Sequence, residues 1–269
     1  NHAGVWSGHN RQLCDFHKGN EGMIFFFKRR KLVLDMFTHR QMVFDAAKPK
    51  MAAHFYPDWW KALKTEIPIN NDLFPTATMK RCMGIVDHYK HGIIQPLWSD
   101  FRIELAAIGD PNFSARFSDS TTRLSQHPSI LRGSFAPESH YAHIKFDNPW
   151  VARCDDDVYF KWESPTWSMT RLNDYILLPG TIEFKYQYSM NVNLFFIKQS
   201  KAVMLEMKFG QPLVHLTPLT ERPIELRHHM VDKSEFERFC QGEKISNINR
   251  YRAYRRAREV EEKVCPFKF

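Results

Sequence analysis

Between residues 140 and 229 the chain is a succession of short runs cut by turn residues: "HYAHIKF", "VYFKWE", "YILL", "TIEFKYQY", "NLFFI", "AVMLEMKF", "PLVHLTPL" and "PIELRHH". In "TIEFKYQY" Ile182, Phe184, Tyr186 and Tyr188 alternate with polar residues. A period of two puts alternate side chains on opposite faces of a strand. So many short strands at short spacing predict a β-sandwich or barrel. The 22 Phe and 7 Trp residues suit such sheets and large interfaces. Upstream, "IIQPLW" and "FRIELAAI" flank Ser99-Asp100, a turn signal, and predict a hairpin. Residues 109–139 are rich in Ser, Thr, Pro and Gly and predict loops with short strands only.

The two ends read differently. Residues 1–22 are polar and aperiodic, an arm or tail. "MIFFFKRRKLVLDMF" (23–37) gives two apolar runs around "KRRK", a hairpin or two neighbouring strands. Thr38 is placed to cap a helix that Pro49 ends. Pro57 opens a second short helix, with Trp59 and Trp60 in its first turn. "MKRCMGIVDHYKHG" predicts a third helix, with Cys82, Met83, Ile85, Val86 and Tyr89 as its apolar stripe and Gly92 as its stop. "KSEFERFC" and "SNINRYRAYRRAREVEEKV" close the chain as helices. The expected fold is α+β: an amino-terminal α/β extension (1–92), a β-sandwich or barrel (93–230) and a carboxy-terminal helical segment (231–269).

Reactive constellations are scarce in the sequence. No H-x-D or H-x-E occurs, so a facial-triad metal site is not expected. His140 and His143 are three apart, and on a strand they face opposite sides; His228 and His229 are adjacent, with the same problem. Asp155, Asp156 and Asp157 form an anionic cluster without the D-x-D-x-D-G calcium pattern, and a solvated turn is the stronger reading. There is no G-x-S-x-G and no P-loop. Cys154 follows Arg153 but precedes three carboxylates, which favours a structural thiol. The five scattered cysteines include no C-x-x-C and fit a reduced, intracellular setting. No catalytic residue, cofactor or metal is expected. No apolar run approaches the roughly 18 residues of a membrane span, and no membrane partner is expected. The start, "NHAGVWSGHN", has no signal-peptide pattern and no initiator Met, as in a processed or incomplete chain.

Two places read as interfaces. Adjacent helical residues point about 100° apart, so one face cannot bury Trp59 and Trp60 equally. Both rings are expected to straddle Leu63 and wedge into the junction between the amino-terminal part and the β-domain, in preference to forming a ligand platform. Near the end, Arg250, Tyr251, Tyr254, Arg255 and Arg258 combine charge with aromatic surface. Such a mixture can grip nucleic acid, and the net charge of +8 allows it. However, Arg255–Glu259 and Arg258–Glu262 are i,i+4 pairs, so a salt-bridged interface helix is preferred.

Several motifs carry a resemblance. In order they are Asn148-Pro149-Trp150, Ser164-Pro165, Pro179-Gly180, Gly210-Gln211-Pro212-Leu213, and Pro218 with Glu221-Arg222. Their succession resembles an uncharacterised family of bacteriophage and bacterial proteins. "LVLDMFTHRQMVFDAAKPKMAAHFYPDWWKAL" and "MKRCMGIVDHYKHGIIQPLWSDFRIEL" look like the amino-terminal half of its marine tailed-phage members. The likeness spans about residues 32–227 and implies a phage origin without an established activity. "GTIEF" followed by "FGQPLVHL" is also similar, more weakly, to the dUTPase-like pattern. There an Asp in the first motif activates water. Here Thr181-Ile182-Glu183 follow Gly180, and Gln211-Pro212 replace the Asp-Arg of the second motif. The expected role is a non-enzymatic structural or accessory component of a tailed-phage particle (head, neck or tail), located in the virion after assembly in the host cytoplasm. Its expected partners are other phage structural proteins or copies of itself. The alternative is an enzyme or binding protein for a small metabolite or nucleotide.

Overall fold

A computed structural model describes residues 30–69, 74–128, 133–169, 175–187, 189, 190, 192–240, 253, 255–257, 259 and 260. Within them the architecture is α+β, mostly strands in several open sheets with few helices, and it is not a closed barrel. No helix among the described residues is long and apolar enough to cross a membrane.

Strand β1 (Leu32–Thr38) buries every second residue, and Leu32, Leu34 and Met36 point inward. It lies between β10 (Val151–Arg153), antiparallel, and β17 (Ile224–Met230), parallel. The second apolar run of the 23–37 stretch therefore pairs far along the chain. Its first run lies outside the described residues. A five-stranded sheet runs β13 (Gly180–Glu183), β11 (Tyr159–Glu163), β16 (Pro212–Pro218), β5 (Ile93–Pro96) and β2 (Lys50–Met51). A four-stranded sheet runs β12 (Tyr175–Leu177), β14 (Val192–Ile197), β9 (Tyr141–Phe146) and β8 (Leu124–Gln126). A fourth sheet joins β15 (Val203–Met207), β6 (Phe101–Leu105) and β7 (Phe113–Phe117). One apolar core draws on these four sheets, with Leu34, Ile93, Ile103, Phe146, Phe160 and Phe196 among its buried members.

The hairpin expected through Ser99-Asp100 does not form. Strand β5 pairs with β16, whereas β6 pairs with β15, in a different sheet. The two segments 93–105 and 203–218 form one long antiparallel ribbon that bends at both strands together. Leu97 N–H donates to Gln211 O and Gly210 N–H to Leu97 O, each at 2.8 Å, and these bonds carry the ladder across the bend. Gly210, at φ +79°, supplies the left-handed residue that the second bend needs. Asp100 is used as a brace: its Oδ1 accepts from Phe209 N–H at 2.6 Å. Strands that switch sheets at a bend make the corners of packed sheets. Similarly, β13 stops at Glu183, and Phe184 and Tyr186 are buried beyond the strand's end.

The helices are short. Helix α1 (Gln41–Ala46) starts after Arg40, two residues later than a Thr38 cap implies; the Thr38 hydroxyl accepts from Arg40 N–H at 3.3 Å. Helix α2 (Asp58–Ala62) follows Pro57, whose carbonyl accepts from Trp60 and Lys61 N–H. Helix α3 (Met83–Lys90) buries Ile85 and Tyr89 only. Helix α4 (Lys233–Cys240) buries Phe236. The two-residue strands β3 (Glu66–Ile67) and β4 (Thr76–Ala77) pair with each other alone. Residues 32–51 are thus built into the main sheets, and residues 52–90 form a lobe beside them.

Candidate interface site

The lobe has a small core of its own: Ala52, Ile85, Tyr89 and Ile94. Trp60 closes it. Its ring stacks on Tyr56 at 4.2 Å, and Tyr56 stacks on Tyr89 at 4.4 Å. Lys80 Nζ lies 5.3 Å from the Trp60 ring, and the buried Trp60 Nε1 has no hydrogen-bond partner. Trp59 goes the other way. It is 44% exposed, and its Nε1 donates to the Trp167 carbonyl at 3.0 Å, with the two rings 6.3 Å apart. The two rings therefore do not wedge together into the junction. Trp60 packs inside the lobe, and Trp59 bridges the lobe to the turn Thr166–Ser168. The 100° step between helical neighbours separates them.

Two further contacts fasten the lobe to the sheets. Tyr89 Oη and Ser168 Oγ are 2.7 Å apart. His88 lies against His215 of β16, with ring centroids 3.9 Å apart. His215 is 1% exposed, and burial, then the neighbouring His88, pushes its pKa down to about 3. It is neutral at ordinary pH. A Cβ at Gly92 would stand 1.8 Å from His215 Nε2, so only glycine lets the chain pass this ring.

At the carboxy-terminal end, Arg255 rests on the protein's own sheet. Its guanidinium is 3.4 Å from Glu183 Oε2, donates to the Tyr159 hydroxyl at 3.3 Å and to Glu259 at 2.9 Å, and lies 5.3 Å from the Tyr186 ring centroid. Glu183 is 3% exposed; burial raises its pKa and Arg255 opposes that shift. Arg250, Tyr251, Tyr254 and Arg258 lie outside the described residues.

The remaining candidates are occupied structurally. Asp155, Asp156 and Asp157 each hold a cation, from Arg153, Arg222 and Lys185 respectively, at 2.9 Å. Among the described residues no three His, Cys, Asp or Glu side chains converge to hold a metal ion. His143 stacks on Phe195, His228 bonds the Pro49 carbonyl, and His229 bonds Asp35. Cys154 is buried, and burial pushes its pKa up to about 11, so the thiol stays protonated. In the dUTPase-like echo, a Cβ on Gly180 would lie 2.4 Å from the Trp162 ring, and Gly210 makes the bend. Both glycines serve the backbone.

Sequence reasoning missed the lobe's exposed apolar set. Ile67, Ile69, Phe74, Met79 and Met83 are exposed, as is Trp167. Ile67, Ile69 and Phe74 fall between the predicted helices at no fixed period, whereas Met83, like Cys82, was expected on the apolar stripe of the third helix and is exposed, because the helix buries only the Ile85–Tyr89 edge. Comparison with protein families, characterised proteins and solved structures finds no match.

Proposed function

We propose that this protein is a non-enzymatic structural or accessory component of a tailed-phage particle and works through protein–protein contacts. The observation that carries this reading is the lobe surface. Trp59, Ile67, Ile69, Phe74, Met79 and Met83 are six exposed large apolar side chains within 25 residues. Concentrations of this kind, rich in aromatic residues and methionine, mark docking sites more often than free surface. Lys64 and Lys90 on the same lobe make no ion pair among the described residues, which suits an acidic protein neighbour in the particle. The phage setting rests on the order of the NPW, PG and GQPL motifs. Mass spectrometry of purified particles of a phage encoding this chain should find it at a fixed copy number. Its absence from particles would overturn the proposal.

The small-molecule enzyme is the weaker reading. The carboxylate nearest to the dUTPase-like motif, Glu183, is buried and ion-paired to Arg255. Incubation with dUTP, dCTP or dATP and magnesium should give no product above a heat-killed control. Turnover lost in Glu183→Gln would reverse the ranking.

A further inference from the structure

A cleft opens where β1, β8, β9 and α4 meet, away from the lobe. Two hollows, of about 490 and 750 Å³, share His39, Thr121, Arg123, Asp147, Asn148 and Phe236, and so form one trough. Each lies in the size range of small-ligand sites.

Strand register arms this trough. Strands β8 and β9 pair Leu124 with Phe146 and Ser125 with Lys145, and Asp147 N–H continues the ladder to Arg123 O. Ile144 and Phe146 are buried, so the alternation turns Lys145 and Asp147 to the outer face. Arg123, opposite Asp147, shares that face.

The cleft's other charges are already matched. Arg40 is held by Asp119, Thr121 and Thr122, and Lys233 lies 3.9 Å from Glu237. Arg123, Lys145 and Asp147 make no ion pair among the described residues. His39, whose ring packs on Phe236 at 4.5 Å, has a buried Nδ1 with no hydrogen-bond partner. Two unmatched cations and one unmatched carboxylate therefore converge on one trough, with the His39 ring in its wall. An anion satisfies the cations, and hydroxyl groups satisfy the carboxylate.

We infer that this cleft binds a small sugar phosphate, with Arg123 and Lys145 on the phosphate, the His39 ring in the wall beside it, and Asp147 accepting from sugar hydroxyls. Burial, and then the nearby Arg40 and Lys233, lower the His39 pKa, so an anion arriving beside it raises that pKa. The inference does not depend on the particle role, because the lobe surface lies elsewhere.

Isothermal titration of the full chain with ribose 5-phosphate tests it, with ribose, inorganic phosphate and a 20-base-pair DNA duplex as the other arms. Ribose 5-phosphate should bind, inorganic phosphate more weakly, and ribose not at all. Arg123→Ala and Lys145→Ala should each weaken binding about tenfold, the loss of one charge-assisted bond. Both residues are at the surface, and thermal melting confirms that the variants fold. The His39 imidazole resonances should titrate at higher pH with ribose 5-phosphate present. Three outcomes overturn the inference: no binding at millimolar ribose 5-phosphate; binding unchanged in both variants; or salt-sensitive duplex binding, lost in both variants, with no sugar-phosphate binding. The last would make the trough a nucleic-acid contact.

Discussion

Trp59 and Trp60 share a peptide bond and almost nothing else. Trp60 carries one end of the Tyr56–Tyr89 aromatic stack, and Trp59 keeps nearly half its surface in solvent. Full burial of a tryptophan is worth about 3–5 kcal/mol on truncation. Trp60→Ala is therefore expected to cost about 2–3 kcal/mol, and Trp59→Ala less than about 1.5 kcal/mol, in urea unfolding. Equal losses would contradict the split. His215 gives a second residue-scale expectation. A base whose pKa falls on folding binds fewer protons in the folded state, so its stability contribution is complete above about pH 6.5. It is lost progressively as the pH falls toward the folded value of about 3. At pH 5 this one group should remove roughly 2 kcal/mol relative to pH 8. Urea melts of the parent and of His215→Gln measure it: the variant should show the shallower pH dependence.

The bent ribbon is the element that organises the sheets. Ser99-Asp100 reads locally as a hairpin turn, because a polar pair between two apolar runs is the usual hairpin signal. The structure spends the same pair on a corner, since residues 203–218 offer both strands a longer partner. Gly210 is the backbone requirement at that corner. An L side chain in the left-handed region costs about 1–2 kcal/mol. Gly210→Ala should lower stability by about that much in chemical denaturation, with the same secondary structure by circular dichroism. An unchanged midpoint would show that the bend relaxes without glycine.

At the scale of the molecule, the main apolar core is made by residues between Leu32 and Leu216, and the lobe adds its own small cluster. Arg255 reaches back to Glu183 from beyond α4. A chain ending at residue 240 is expected to fold cooperatively yet melt at a lower temperature, because Glu183 loses its cation. Differential scanning calorimetry checks this; a non-cooperative melt would place the removed segment in the core.

Sequence alone determined the local choices. The period-two runs from 140 to 229 became β9 and β11 to β17, since alternation needs only that one face be buried. Pro57 also behaved as its chemistry dictates, because a fixed φ acts within a few residues. Tertiary structure decided the rest. That β1 lies parallel to β17, nearly 200 residues away, follows from which apolar faces could be buried together, and no local signal encodes that. The cleft was illegible for the same reason. His39, Arg123 and the Lys145–Asp147 pair come from three separate segments, and each is unremarkable among its sequence neighbours. Only strand register and the docking of α4 put their unmatched charges on one surface.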